Sequence, residues 1–113
     1  MLLDKKQAEL WWGENRHRFP NFALKRLSCR CCGEFYVSDD IDALQAVRSD
    51  FGLPITLNCA HRCEEHNSRV GGATKSKHLK QAFDISVLTP NGEQRYTDEQ
   101  LETLFGLLAK HGF

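Results

Sequence analysis

Residues 54–85 read PITLNCAHRCEEHNSRVGGATKSKHLKQAFDI, and the two apolar runs at the ends of this stretch decide how the chain is laid out. Pro54 to Cys59 carries Ile55, Thr56 and Leu57, whose branched and bulky side chains suit a pleated, half-buried surface, so a strand is predicted there. A second strand is predicted from Phe83 to Leu88, ended by the turn Thr89-Pro90-Asn91-Gly92. Between them, Glu64 to Val70 predicts a short helix closed by Gly71-Gly72, and Ala73 to Lys77 a loop that leads into His78. The first strand would deliver His61 and Arg62 to the loop beyond its end, a common address for functional groups. Ala82-Phe83 ahead of Asp84 suggests a strand carrying that carboxylate inward, where it is costly unless a cation meets it.

His78 and Asp84 stand six residues apart in SKHLKQAFDI, and imidazole nitrogen and carboxylate oxygen are both good zinc ligands. The order Ser76, His78, Ala82, Asp84 resembles the SxHxxGxAxD signature of the M15 zinc peptidases, the D-alanyl-D-alanine carboxypeptidases and L-alanyl-D-glutamate endopeptidases of bacterial walls and phage endolysins. Here the signature glycine is absent and the His-to-Asp spacing is one residue short. The upstream blocks His61-Arg62-Cys63, Glu64-Glu65-His66-Asn67 and Val70-Gly71-Gly72-Ala73 are similar to that family in the same order, as is FALKRLSCRCCGEF, so the resemblance covers about Phe22 to Ile85 and, more loosely, the closing helix.

The resemblance implies a zinc held by His78 and Asp84, Arg62 as the catalytic group that holds a developing oxyanion or a substrate carboxylate, and Ser76 against the substrate. The family pattern continues past a Gly-Phe pair to a last histidine ligand. The expectation is therefore one M15-like domain over residues 1–113 that ends at Gly112-Phe113 short of that strand, with an incomplete zinc site. His111 precedes the Gly-Phe pair and is not that ligand. The implied substrate is a peptidoglycan stem peptide, cut at a D-Ala-D-Ala or L-Ala-D-Glu bond. The alternative is a catalytically decayed structural or wall-binding module of the same fold, for example a phage virion component beside other phage structural proteins. His61 and His66 are read as structural or solvated rather than as ligands.

Fifteen basic residues balance fifteen acidic ones, so no global field gathers nucleic acid or an anionic membrane, and neither is expected as a partner. The amino-terminal apolar segment is too short for a secretory signal. Synthesis in the cytosol is expected, followed by association with a virion or release to the cell wall. Five cysteines, Cys29, Cys31, Cys32, Cys59 and Cys63, make a complete disulfide framework improbable in such a chain. Cys29-x-Cys31-Cys32 with Cys59 and Cys63 could form a structural zinc site; the alternative is small buried hydrophobes with one local disulfide.

The remaining elements fill in an α+β arrangement, helices packed on a small mixed or antiparallel sheet, and the M15 resemblance implies the same class, a carboxypeptidase/hedgehog-like fold. Asp4 to Arg16 predicts a helix with Ala8, Leu10, Trp11 and Trp12 apolar, the tryptophans roofing the core or offering a partner surface. Phe22, Leu24 and Leu27 suggest a short strand. Ile41, Leu44, Val47 and Phe51 form one stripe of a helix capped by Ser38 or Asp39 and stopped by Gly52. Thr97 and Gln100 make a capping box for a last helix with Leu101, Leu104, Phe105 and Leu108 on its buried face.

Overall fold

Local chemistry sets the helix boundaries in the computed structural model, which describes residues 1–73, 76, 77 and 81–113. Strand β1 (Leu2–Leu3) is followed by helix α1 (Lys5–Asn15), a 3-10 turn (Arg16–Arg18) and the single-turn helix α2 (Leu24–Leu27). Strand β2 (Phe35–Tyr36) leads to α3 (Asp40–Phe51), then β3 (Leu57–Cys59), α4 (Glu64–Arg69), β4 (Asp84–Ile85) and α5 (Asp98–Lys110). Asp4 and Gln7 form a capping box at α1, and Thr97 and Gln100 form the predicted one at α5, where each side chain accepts from the other's backbone amide. Gly52 ends α3 in the left-handed region, at φ 75°, where a side chain would be strained.

Among the described residues the strands make two small antiparallel sheets rather than one. β1 pairs with β2, and β3 pairs with β4. The β3–β4 register places Leu57 opposite Ile85 and Cys59 opposite Asp84, so it shifts by one residue between Leu57 and Cys59. No helix among the described residues is long and apolar enough to cross a membrane.

Helix α3 joins two apolar clusters. Ile41 and Leu44, both fully buried, face a cluster built from Leu3, Ala8, Phe19, Leu27, Phe35 and Leu57. Val47, a turn further on, enters a second cluster with Ile55, Tyr96 and Leu104, where α5 packs on α3. Trp11 and Trp12 lie against the first cluster with Phe19 stacked at 6.0 and 5.7 Å, so they roof the core. Two members of the predicted apolar faces, Leu10 and Phe105, point outward instead, being 66% and 57% exposed.

The segment expected as a strand around Leu24 is helical. Leu24 and Leu27 are spaced by one helical turn, Ser28 N donates to Leu24 O at 2.8 Å, and Ala23 keeps an extended backbone as the residue before the helix. The three-residue period of Leu24 and Leu27 overrides the alternation of Phe22 and Leu24.

Candidate functional site

The site is assembled where β3 ends beside β4. Beyond Cys59 the chain turns through Ala60 and His61, both almost fully buried, and presents Arg62 before α4 begins. His61 Nε2 and Glu34 Oε2 lie 3.0 Å apart, which ties this turn to the loop before β2. Glu64 and Glu65 occupy the first turn of α4, where carboxylates complement the helix dipole.

Arg62 is half-buried. Its Nη2 donates to Ser76 Oγ at 3.1 Å, while its Nε is buried with no hydrogen-bond partner among the described residues. Two of the sequence-predicted site residues, Arg62 and Ser76, are thus in direct contact. Asp84 sits opposite Cys59 on β4. His78 lies outside the described residues, as do Leu79 and Lys80.

Asp84 is exposed rather than carried inward. The register shift between Leu57 and Cys59 has a physical consequence here, because an extra residue on one strand breaks the alternation of facing side chains. No ion pair joins Asp84 to Arg62 or to any other described residue. An exposed carboxylate of this kind keeps its oxygens available to a cation, so its donor chemistry suits zinc. His111, by contrast, is engaged with Asp50, its Nε2 3.0 Å from Oδ2.

The approach to β4 is fixed by Gln81. Its Nε2 donates to Tyr36 O at 2.6 Å, and the Ser38 hydroxyl donates to its Oε1. One residue before Asp84, Phe83 meets Phe113 edge to face at 5.8 Å. The residues that lead into Asp84 are therefore anchored to β2 and to the segment after α5.

A cleft of about 180 Å³ opens next to Arg62, with Arg26, Arg30, Cys59, His61 and His66 in its wall. Three guanidinium groups and, among the described residues, no carboxylate line it, a setting that favours an anion. Arg30 is steadied by donating to Asn58 O at 2.5 Å. Burial pushes the Cys59 thiol above its ordinary pKa, against the opposing pull of Arg62 and Arg30.

A second group of potential ligands lies close by. The sulfurs of Cys29, Cys32 and Cys63 are within 4.8 Å of one another, an arrangement able to hold a metal ion. All five cysteines are free thiols, so the expected alternative of a local disulfide is not realised. Burial alone would raise Cys29; the Cys63 amide and the His66 side chain, with the Cys32 and Cys31 amides, outweigh it and bring the thiol down to about 6. Burial raises Cys32 to about 11, with contributions from the Cys63 and Cys29 thiols against the Glu34 amide.

The structure is thus an α+β scaffold with a basic cleft where β3 ends, and Cys59 of that cleft pairs with Asp84 on β4. A family model described as Peptidase M15 matches residues 20–106, and the chain belongs to this family. The matched range takes in α2 through most of α5, and with them Arg62, Ser76 and Asp84. Neither a curated protein nor a solved structure matches the chain.

Proposed function

We propose that the chain is a zinc-dependent peptidase of peptidoglycan, acting on stem peptides at D-Ala-D-Ala or L-Ala-D-Glu bonds. The observation that carries this reading is Arg62: half-buried at the end of β3, bonded to Ser76, with an unpartnered Nε, beside a cleft whose other cations are Arg26 and Arg30. Family membership supports peptide hydrolysis in general, and the cation-lined cleft supports a substrate that carries a carboxylate.

On this reading Asp84 and His78 would hold the zinc. When bound, zinc supplies Lewis acidity toward an amide carbonyl and lowers the pKa of water. Arg62 orients the substrate by pairing with its carboxylate or with the oxygen on which negative charge develops, a task suited to donors that are already positioned. Ser76 holds the guanidinium in place through its hydroxyl, and on this reading would also meet substrate. Gln81, pinned to Tyr36 and Ser38, keeps β4 and hence Asp84 in register with Cys59. The action would take place at the cell wall, reached from a virion or after release.

A second reading, a wall-binding or virion module that has kept the fold and lost the reaction, is favoured by the short His78–Asp84 spacing and the outward Asp84. Incubating the zinc-supplemented protein with synthetic stem peptides and following the products by mass spectrometry separates the two. Release of D-alanine or cleavage after L-alanine, lost in Asp84→Ala, supports the peptidase. Binding of intact peptidoglycan without any cleaved product overturns it in favour of the second reading.

A further inference from the structure

We infer that Cys29, Cys32, Cys63 and His66 form a zinc centre of structural type, distinct from the proposed catalytic pair, that staples the loop before β2 to the first turn of α4.

The spacing is the first observation. Cys29 and Cys32 are separated by two residues, Cys63 and His66 by two, and thirty residues lie between the pairs. Two such short pairs, each closing one turn of backbone, are how structural zinc sites collect four ligands from two points in a chain. Cys31 interrupts the first pair in sequence, and His66 supplies the fourth donor.

Geometry is the second. A tetrahedron with zinc–sulfur bonds of about 2.3 Å has sulfur–sulfur edges of about 3.8 Å. The three sulfurs lie within 4.8 Å of one another; His66 stands outside that set, with its Nδ1 3.4 Å from Cys29 Sγ, and would complete the tetrahedron by a small shift of its ring. The backbone is arranged around the sulfurs as well: Cys63 N donates to Cys29 Sγ and His66 N donates to Cys63 Sγ, each at 3.4 Å. Amide donors of this kind stabilise thiolate and orient it, the role that outer partners play around a bound metal.

The loop that carries the first pair is built to fold back on itself. Gly33 N donates to Cys29 O at 2.9 Å and Cys29 N donates to Glu34 O at 2.7 Å. Gly33 follows Cys32 with φ +79°, and a Cβ there would come within 2.7 Å of the Lys5 side chain, so glycine is required twice over.

Cys31 is the competing fourth donor, and its surroundings argue against it. It is exposed, and Arg69 Nη2 donates to its sulfur at 2.6 Å. Three thiolates and a neutral imidazole around Zn2+ leave one net negative charge, and Arg69, on the last turn of α4, is placed to offset it. Binding displaces the thiol protons to solvent and needs no oxidant.

The centre would matter because the sheets are short. Two strands of two or three residues each do little to hold β3 against the loop before β2, whereas a zinc tie across 29–66 would contribute folding energy directly. It would also fix Glu34, the partner of His61, one residue before Arg62.

The test uses the full chain with the proposed catalytic donors removed, His78→Ala/Asp84→Ala, purified without chelator, with zinc counted by elemental mass spectrometry and cobalt(II) titrated into the metal-free protein. One tightly held zinc per chain and a thiolate-to-cobalt charge-transfer band are expected. On that background Cys63→Ser and His66→Ala each weaken cobalt binding by more than about 100-fold, and Cys31→Ser leaves it unchanged. In the unmutated chain, zinc protects Cys29, Cys32 and Cys63 from alkylation while Cys31 stays reactive, a measurement that stands if a variant fails to fold. Absence of both the charge-transfer band and the protection overturns the centre. So does an intact mass showing these thiols paired as a disulfide. Loss of binding in Cys31→Ser with none in His66→Ala overturns the assignment of the fourth ligand.

Discussion

Tyr96 donates its phenolic hydroxyl to the Pro54 carbonyl at 2.6 Å, across 42 residues of chain. Pro54 leads into β3 and Tyr96 into α5, so this one bond joins the strand that ends at the site to the helix that closes the second core cluster. Tyr96 is 6% exposed and meets Phe51 edge to face at 5.5 Å.

Tyr96→Phe keeps the ring and strands the Pro54 carbonyl, and a loss of about 1 kcal/mol of stability is expected. Burial raises the tyrosine pKa above its ordinary value, with Arg95 and Arg48 pulling the other way. A group whose folded pKa is raised stabilises the fold fully below the unfolded pKa, about 10, and that contribution is lost as pH rises through the folded value. Urea titrations from neutral to strongly alkaline pH should therefore show a loss for the parent that is weaker in the phenylalanine variant; equal slopes would contradict the account.

Leu104 is fully buried between α5 and the second cluster. Leu104→Ala should cost about 2–5 kcal/mol, the lost transfer energy plus the cavity left beside Val47 and Ile55. Chemical denaturation monitored at Trp11 and Trp12, which belong to the other cluster, would check whether both clusters unfold together: a single transition shifted by this amount is expected, because α3 spans both.

Gly72 closes on α4. A Cβ there would come 2.1 Å from Asn67 Oδ1, and Asn67 is 4% exposed with its Nδ2 donating to Ala73 O at 2.8 Å. Gly72→Ala must therefore displace a buried amide, and a destabilisation of about 1–3 kcal/mol is expected from thermal or urea unfolding. Gly71→Ala is strained for a different reason, its φ of +72°, with open space around the new methyl group.

Arg62→Lys keeps the charge and removes the planar fork, including the unpartnered Nε. On stem peptides with a free carboxylate, kcat/KM should fall about tenfold or more, and Arg62→Ala should fall further, toward about 100-fold. Unchanged kinetics in both would remove Arg62 from the site.

Much of the scaffold can be read from residue patterns alone. The Thr97–Gln100 box, the stripe Ile41, Leu44, Val47 and the stop at Gly52 each rest on contacts within one helix, and local chemistry decides them. Helix α2 was less legible, since Phe22, Leu24 and Leu27 satisfy a strand period and a helical one in so few residues. Asp84 was harder still. Its direction depends on a register shift in the partner strand, and nothing in Ala82-Phe83-Asp84 itself encodes that shift. The cysteine cluster was half visible: the residues were identifiable, but Cys63 and His66 meet Cys29 only because α4 folds back over the loop, a tertiary relationship.

The edge-to-face meeting of Phe113 with Phe83 has a practical side. An affinity tag fused after Phe113 would issue one residue from Asp84, and a polyhistidine tag would bring a string of imidazoles to the carboxylate proposed to hold zinc. Metal stoichiometry measured on such a fusion would count the tag together with the protein, so purification handles belong at the other end of the chain or must be cut away first.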